Sequence, residues 1–580
     1  MKYYTIVPFF IIAHLSNLQL ACARLHNGPN HFLEEESNDQ IKRNRKSRYL
    51  KSKKSKGKGG ESTAEEQISK SVSALDFKIP FDGAFSSIPS PPGLHIGGLV
   101  ALLQAWVSGL KYLETPYSVR LEHYVDIIGW NCAATYSDDW KDALTKREIL
   151  IRAPEEIILP DKSNINLYNS DTRLICIAIA FATVIEDWLP QAFPAMKSTI
   201  EVFQYPGIKY GYDDNVRSCF VEHESSDAKR KVLCLRAIAQ NDGFKPSTMG
   251  KIVAHQIYEY AKIDGWNMYG DLNADGSKNT FNSRRYRDPT GYHPVYNPND
   301  PELKKRWSPL LEDNGSGYFT RQEHVAPHIG TMANPRLLTR DEMNERVLPG
   351  PNYDYDEESR MVVSRLANLT DEKKLLIEFF DNKIKVAFAL VNHVVSLGAS
   401  FEQVLNFIVG VTAGTYDAVI LAWKEKVSHD LVRPTTRIQD QMTDEQFDTW
   451  VKGKGTQTLQ GKEFESFIRV MPHAEFPSGS SCIFQHLYEF TEDWIINNLD
   501  ITTSPPIILG DFPVGSSISE PGVTPAKTLK LSASSLLELR NLGDQSRLDG
   551  GMHFTASTEK CHQLCGGIGH LAANFTAKLW

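Results

Sequence analysis

Past residue 23 the sequence has no uninterrupted apolar run of 18 residues, which excludes a helix of the kind that spans a bilayer. The best candidate, 174–184, is too short and is soon followed by Glu186 and Asp187. Acidic residues are absent from 41–58, where ten Lys and Arg stand together. That run has no aromatic cluster and adjoins Lys56-Gly57-Lys58-Gly59-Gly60, so it is expected to be a solvated linker or pro-segment, with no nucleic acid as partner. Cysteine is sparse as well. With Cys22 set aside seven remain, an odd number that requires at least one free thiol or an intermolecular bridge. Cys219 and Cys234 flank a polar stretch and are able to close a loop, whereas Cys561 and Cys565 have no partner set to make a zinc site.

What is present is ordinary for a folded protein. The 580 residues are 41% hydrophobic and 23% charged, enough for a large core and for more than one domain. The net charge of -8 hides an asymmetry, because without the ten cations of 41–58 the rest carries -18. Lys2, the mostly apolar stretch 6–20 and Ala21-Cys22-Ala23 have the order of a secretory signal. Export, or delivery to a lumen, is therefore expected, and the sequons at Asn314, Asn368 and Asn574 become candidate glycosylation sites. Four parts follow: a signal peptide (1–23), a disordered basic linker or pro-segment (24–75), a helical and loop-rich half (76–369) and a helical bundle (370–580).

The expected fold class is mainly α. Apolar residues recur at helical spacing over 95–136, with Leu99, Leu102, Leu103 and Trp106 on one face, and 174–203 reads as another helix. The stretch 205–360 is rich in Gly, Pro, Asn, Asp and Tyr and is expected as loops or short strands. Beyond it, Thr370 is placed to cap a helix running through Phe379, Val386 and Leu390. Ser400-Phe401-Glu402-Gln403 has the form of a capping box at the head of a long helix that reaches Trp423 and Lys426.

Three short segments carry the chemistry: Lys426-x6-Arg433-Pro434, Pro477-Ser478-Gly479 and Ser546-Arg547-x3-Gly551-x-His553. Taken alone, Lys426 and Arg433 beside Glu425 and Asp430 are as readily surface cations. Pro477-Ser478-Gly479 alone is a capped helix start, and His553 alone a half-buried histidine. Together they offer one Lys, two Arg, a Ser hydroxyl, a Gly amide at a helix start and one imidazole, which is a cage for a tetrahedral or trigonal-bipyramidal oxyanion. Pro434 disfavours helical geometry at Arg433 and marks a boundary there.

This signature resembles that of the vanadium-dependent haloperoxidase and type-2 phosphatidic acid phosphatase superfamily, in its soluble, haloperoxidase-like branch. Segments 291–298, 306–311 and 322–330 resemble stretches found upstream of the anion site in such proteins. The resemblance implies an α-helical bundle that binds orthovanadate, with Lys426, Arg433, Ser478, Gly479 and Arg547 on its oxygens and His553 bonded to vanadium. Lys426 would polarise bound hydrogen peroxide. Trp423 matches a tryptophan lining the halide side of the pocket, and His473 a position that is His in bromoperoxidases and aromatic in chloroperoxidases. The implied partners are hydrogen peroxide, halide (bromide or iodide rather than chloride) and small organic acceptors, with a homodimer as one assembly state.

One residue departs from the pattern. The superfamily's PSGH is here Pro477-Ser478-Gly479-Ser480, so its acid/base histidine is missing. Ser480 has no pKa suited to acid catalysis near neutral pH. His473, or a water held by Ser480, is the expected substitute, with His429 a weaker one. Two alternatives stay open: a soluble acid phosphatase using His553 as nucleophile, and a vanadate- or phosphate-binding relative without turnover.

Overall fold

The computed structural model describes residues 114–136, 170–188, 215–221, 228–270, 272–273, 288–313 and 317–579, all inside the compact unit Gly93–Trp580. The signal, the basic run and Asn314 lie outside them. Five helices come first: α1 (Thr115–Thr135), α2 (Ser170–Trp188), α3 (Asn215–Val221), α4 (Ala228–Asn241) and α5 (Pro246–Ala261). The expected helix over 95–136 is described only at its C-terminal end, and that over 174–203 only as α2. Where loop was expected over 205–360, α3, α4 and α5 occupy 215–261. The Gly, Pro and Asn that signal loop are concentrated beyond residue 262, while Leu235, Ala239, Ile252, Val253 and Ile257 keep helical spacing and are buried.

The second half is built from α6 (Ile329–Met332), α7 (Arg340–Glu345), α8 (Tyr355–Ala367), α9 (Asp371–Asp381), α10 (Lys383–Ser396), α11 (Phe401–His429), α12 (Pro434–Gln441), α13 (Gly479–Leu499), α14 (Leu536–Asp549), α15 (Thr555–Cys565) and α16 (Ile568–Ala577). Thr370 caps α9 as expected, but the helix does not run on to Leu390. Asn382 is non-helical and its side chain accepts from the amides of Ile384 and Lys385, which starts α10 anew. Likewise α15 and α16 are separated at Gly567, which has φ +84°. Among the described residues there are three two-stranded antiparallel pairs: β1 (Leu311–Asp313) with β2 (Phe319–Arg321), β3 (Gln446–Val451) with β4 (Gly455–Gln460), and β5 (Ile507–Phe512) with β6 (Leu529–Ala533).

α11 is the axis of this arrangement. The reciprocal Ser400–Gln403 capping box opens it, and it packs on α1, α13 and α16. Among the described residues it is the one helix long and apolar enough to cross a bilayer, and it is buried as a core helix. Asn406 and Asp417 interrupt its apolar run. Both are satisfied internally. Asn406 donates to the Thr576 carbonyl and accepts from Trp494 Nε1, and Asp417 accepts the amides of Arg336, Leu337 and Leu338.

The approach of α13 to α11 needs glycine. A Cβ at Gly414 would lie 2.0 Å from the His486 ring, and one at Gly410 2.2 Å from Phe490. The rings of α13 fill the space those side chains would take, and the long axis stays close enough for the ends of the two helices to share one site. Asn368 and Asn574 are exposed, but Phe575 and Thr576 of the second sequon are buried. Gly414→Val is expected to lower unfolding stability by about 1–3 kcal/mol through overpacking, read as a lower urea midpoint with an unchanged m-value.

Candidate anion site

The three motifs converge. Lys426 lies in the last turn of α11, which ends at Asp430 in the left-handed region (φ 52°). Three residues on, Arg433 is extended (φ -73°, ψ 151°) and is the residue before α12, with Pro434 at its first position, the boundary expected from Pro434. Ser478 precedes α13, and its Oγ accepts from the Ser481 amide and hydroxyl, which leaves its own O–H to donate. The first N–H groups of α13, at Gly479 and Ser480, have no acceptor within the helix. Arg547 sits in the last turn of α14. Gly551, with φ +75°, lets the chain turn there to bring His553 back, a conformation that costs glycine little.

All four of these side chains are buried: Lys426 is 0% exposed, Arg433 1%, Arg547 2% and His553 4%. Lys426 Nζ donates to the carbonyls of Ala474 (2.7 Å) and Glu475 (3.0 Å). Arg433 donates through Nε to the His473 carbonyl and through one terminal nitrogen to the Met552 carbonyl, both at 2.9 Å. That second nitrogen is 3.4 Å from His553 Nε2, and the other terminal nitrogen is 2.9 Å from His473 Nδ1. Arg547 pairs with Asp381 at 2.9 Å, while its other terminal nitrogen is buried without an acceptor. A buried guanidinium N–H left without an acceptor costs free energy, and an oxyanion would supply one. The donors therefore fit vanadate or phosphate, with Lys426, Arg433, Arg547, Ser478 and Gly479 on oxygens and His553 Nε2 toward the central atom.

The electrostatics agree with the geometry. Burial, with Arg433 adding to it, holds Lys426 well below its ordinary pKa, and Glu475 opposes the shift. Burial lowers Arg433 to about 10. His553 is held well below its usual value, first by burial and then by Arg433, Lys426, Arg547 and Lys383, so Nε2 keeps its lone pair. Burial raises the Glu475 carboxyl against the pull of Ser557, Arg433, the Phe554 amide and Lys426.

Trp423 and His473 form one wall, their rings 4.6 Å apart. Behind His473 stands His324, 6.5 Å away, which packs on Trp307 (5.2 Å) and Tyr292 (4.8 Å). Each of the three upstream segments thus contributes a ring to this wall. The strand bridge Arg306–Leu431 and the bond from Trp307 N to Asp430 O tie the segment 305–307 across the turn between Lys426 and Arg433. His473 is held far below its normal pKa by burial, Lys426, Arg433 and His324. It is a neutral acceptor for Arg433, a poor proton donor in place of the missing histidine. His429 faces elsewhere, toward the Leu348 carbonyl and Glu425.

Four functional candidates escaped the sequence reading. Glu475 accepts from His553 Nδ1 at 3.0 Å, and Tyr353 donates to Glu475. Asp381 holds Arg547 from a side chain 30% exposed. Lys383 Nζ donates to the carbonyls of Phe380 (2.8 Å) and Asp381 (3.1 Å) and lies 5.6 Å from the Phe484 ring, one helical turn beyond Ser480. Burial and Arg547 bring its pKa down to about 7, against Asp381. Of these, only Glu475 lies near a motif, three residues before Ser478. The motif pattern is silent on it.

Two further bonds brace the seat. The Ser478 amide donates to the Ser557 carbonyl and the Cys561 thiol to the Ser478 carbonyl. One turn along, Cys482 is disulfide-bonded to Cys565, which joins the start of α13 to α15. Cys219 pairs with Cys234, as the spacing allowed, and Cys132 with Cys176. Cys561 is the free thiol among the described residues.

Residues 406–580 match the family model of the VCPO second helical-bundle domain. Three solved structures share the fold over most of the chain. A holo-type bacterial vanadium-dependent chloroperoxidase is 19% identical with a TM-score of 0.61, covering 80% of this chain and 92% of that one. The apo-type bacterial enzyme gives 20%, 0.62, 81% and 95%. A bacterial vanadium-dependent iodoperoxidase gives 14%, 0.52, 84% and 97%. Over residues 406–580 the chain matches that helical-bundle family, and over most of its length it shares the fold of these vanadium-dependent peroxidases. No curated protein matches it in sequence, and at these identities the superfamily likeness is one of fold. The mainly α class expected from the sequence is the class observed.

Lys383 gives the site a pH signature. Its free ammonium titrates at about 7, and a bound anion raises that value. Binding therefore takes up a proton near pH 7, and affinity falls as pH rises and the ammonium is lost. Calorimetry with inorganic phosphate in two buffers of different ionisation enthalpy should show a proton uptake in the wild type that Lys383→Met lacks.

Proposed function

We propose that this chain is a vanadate-dependent haloperoxidase, exported to an oxidising compartment, that uses hydrogen peroxide to oxidise halide to hypohalous acid, which halogenates small organic acceptors. The observation that carries the reading is a neutral imidazole, His553, with Nε2 facing Arg433 inside a buried ring of N–H donors, one of which, on Arg547, lacks an acceptor. Bound vanadate would supply an electrophilic centre that activates peroxide without changing oxidation state. The chain's own part is preorganisation. Lys426, Arg433 and Arg547 neutralise the oxygens, the Ser478 hydroxyl and Gly479 amide add donors, and His553 Nε2 offers its lone pair.

Ser480 leaves the proton to another group. Lys383, poised at about 7 beside the Phe484 ring, holds a proton that it can give up or recover near neutral pH. Bromide or iodide is the preferred halide on this reading, supported by the imidazole of His473 in the wall opposite Trp423. Disulfides such as Cys482–Cys565 support an oxidising compartment.

The purified chain, incubated with orthovanadate, peroxide and bromide, should brominate a phenolic dye. Arg547→Ala should cut that rate by about 10^2 to 10^3, the usual loss for one oxyanion donor. Lys383→Met should cut it by at least about 10^2, and Lys383→Arg, which keeps the charge but not the titration, should rescue little. Hydrolysis of nitrophenyl phosphate without oxidation of any halide would overturn the proposal in favour of a phosphatase.

A further inference from the structure

Glu475 is 0% exposed and lies behind His553, on the side away from the cage. One carboxylate oxygen, Oε1, is 3.0 Å from His553 Nδ1 and also accepts the Phe554 amide at 3.0 Å. The other, Oε2, accepts from the Tyr353 hydroxyl at 3.2 Å, and that hydroxyl is 3.1 Å from Ser557 Oγ. An oxygen that already accepts an amide N–H presents lone pairs, so Nδ1 must carry the hydrogen between them. At the far end of the ring the same conclusion follows independently. The Arg433 nitrogen 3.4 Å from Nε2 can only donate, so Nε2 is the bare nitrogen. The backbone of Glu475 is fixed too: its amide donates to the Leu431 carbonyl, and its carbonyl accepts from Lys426.

From this geometry we infer that Glu475 is a positioning residue that makes the site select vanadate over phosphate, by locking His553 with Nε2 bare and strengthening that nitrogen as a donor. The inference rests on the oxyanion-site reading above. Vanadium(V) readily takes a fifth ligand, so vanadate gains a bond from a more basic Nε2. Phosphate stays four-coordinate when bound and gains only hydrogen bonds and charge attraction. A carboxylate behind a ligating histidine raises the basicity of the far nitrogen. Its charge gives phosphate no added bond and weakly opposes the dianion. One side chain therefore pulls the two affinities apart.

The test is the affinity of the full chain for orthovanadate and, separately, for inorganic phosphate, measured by calorimetry. Glu475→Gln keeps the shape and an acceptor oxygen for His553 and Phe554. It should weaken orthovanadate by about 10- to 100-fold, the usual loss for such an outer partner, and leave phosphate unchanged or slightly tighter. Tyr353→Phe removes the donor to Oε2 without touching the carboxylate, and should give a smaller loss that again falls on orthovanadate alone. Equal weakening of both anions in either variant would mean that Glu475 serves only as scaffold, and no weakening of orthovanadate would mean that it does not tune His553. Either result overturns the inference while leaving the oxyanion site standing. If the wild type binds neither anion, the oxyanion-site reading itself falls.

Discussion

The constraint that governs this structure is the burial of several like charges in one place. Two unit charges about 4 Å apart at an intermediate dielectric interact by about 4 kcal/mol, and here Lys426, Arg433 and Arg547 gather at a buried spot with Lys383 at its edge. The protein tolerates this by giving nearly every donor a fixed partner. Lys426 is held by two carbonyls, Arg433 by two carbonyls and two imidazoles, Arg547 by Asp381, and Lys383 by the carbonyls at the end of α9. What is left over, the Arg547 nitrogen without an acceptor, points to what the arrangement lacks.

The rest of the fold holds that cluster in register. The cations come from the ends of α11, α14 and the α9–α10 junction, and the anion seat from the start of α13, so the cage is made where several helices terminate. Helix ends expose unpaired carbonyls and amides, and those groups are the partners a cluster of cations and an oxyanion require. Gly410 and Gly414 allow α11 and α13 to approach, and the segment 305–307 fixes the turn between Lys426 and Arg433 from outside.

Much of the cage was legible in the chain, because Lys426, Arg433, Ser478, Gly479, Arg547 and His553 occupy fixed spacings that follow from a helix end, a helix start and a tight turn. The residues that support it were not. Glu475, Tyr353, Asp381 and Lys383 act through tertiary proximity, which leaves no period or spacing to read. The break at Asn382 was missed for a related reason. The apolar spacing of Phe379, Val386 and Leu390 continues past it, and only a cap that accepts two amides shows where one helix stops and the next begins. The helices over 215–261 were hidden by the composition of the longer stretch around them.

The Cys482–Cys565 bridge ties the start of α13, which carries the Ser478 seat, to α15, which begins just after His553. The first turn of the helix behind the Ser478 seat and the far end of the helix that follows His553 are thereby joined covalently, and only where the folding environment is oxidising. Maturation of the site is thus tied to the redox state of the compartment in which the chain folds. Material folded under reducing conditions would carry every cage residue and still lack the strut that holds seat and ligand together.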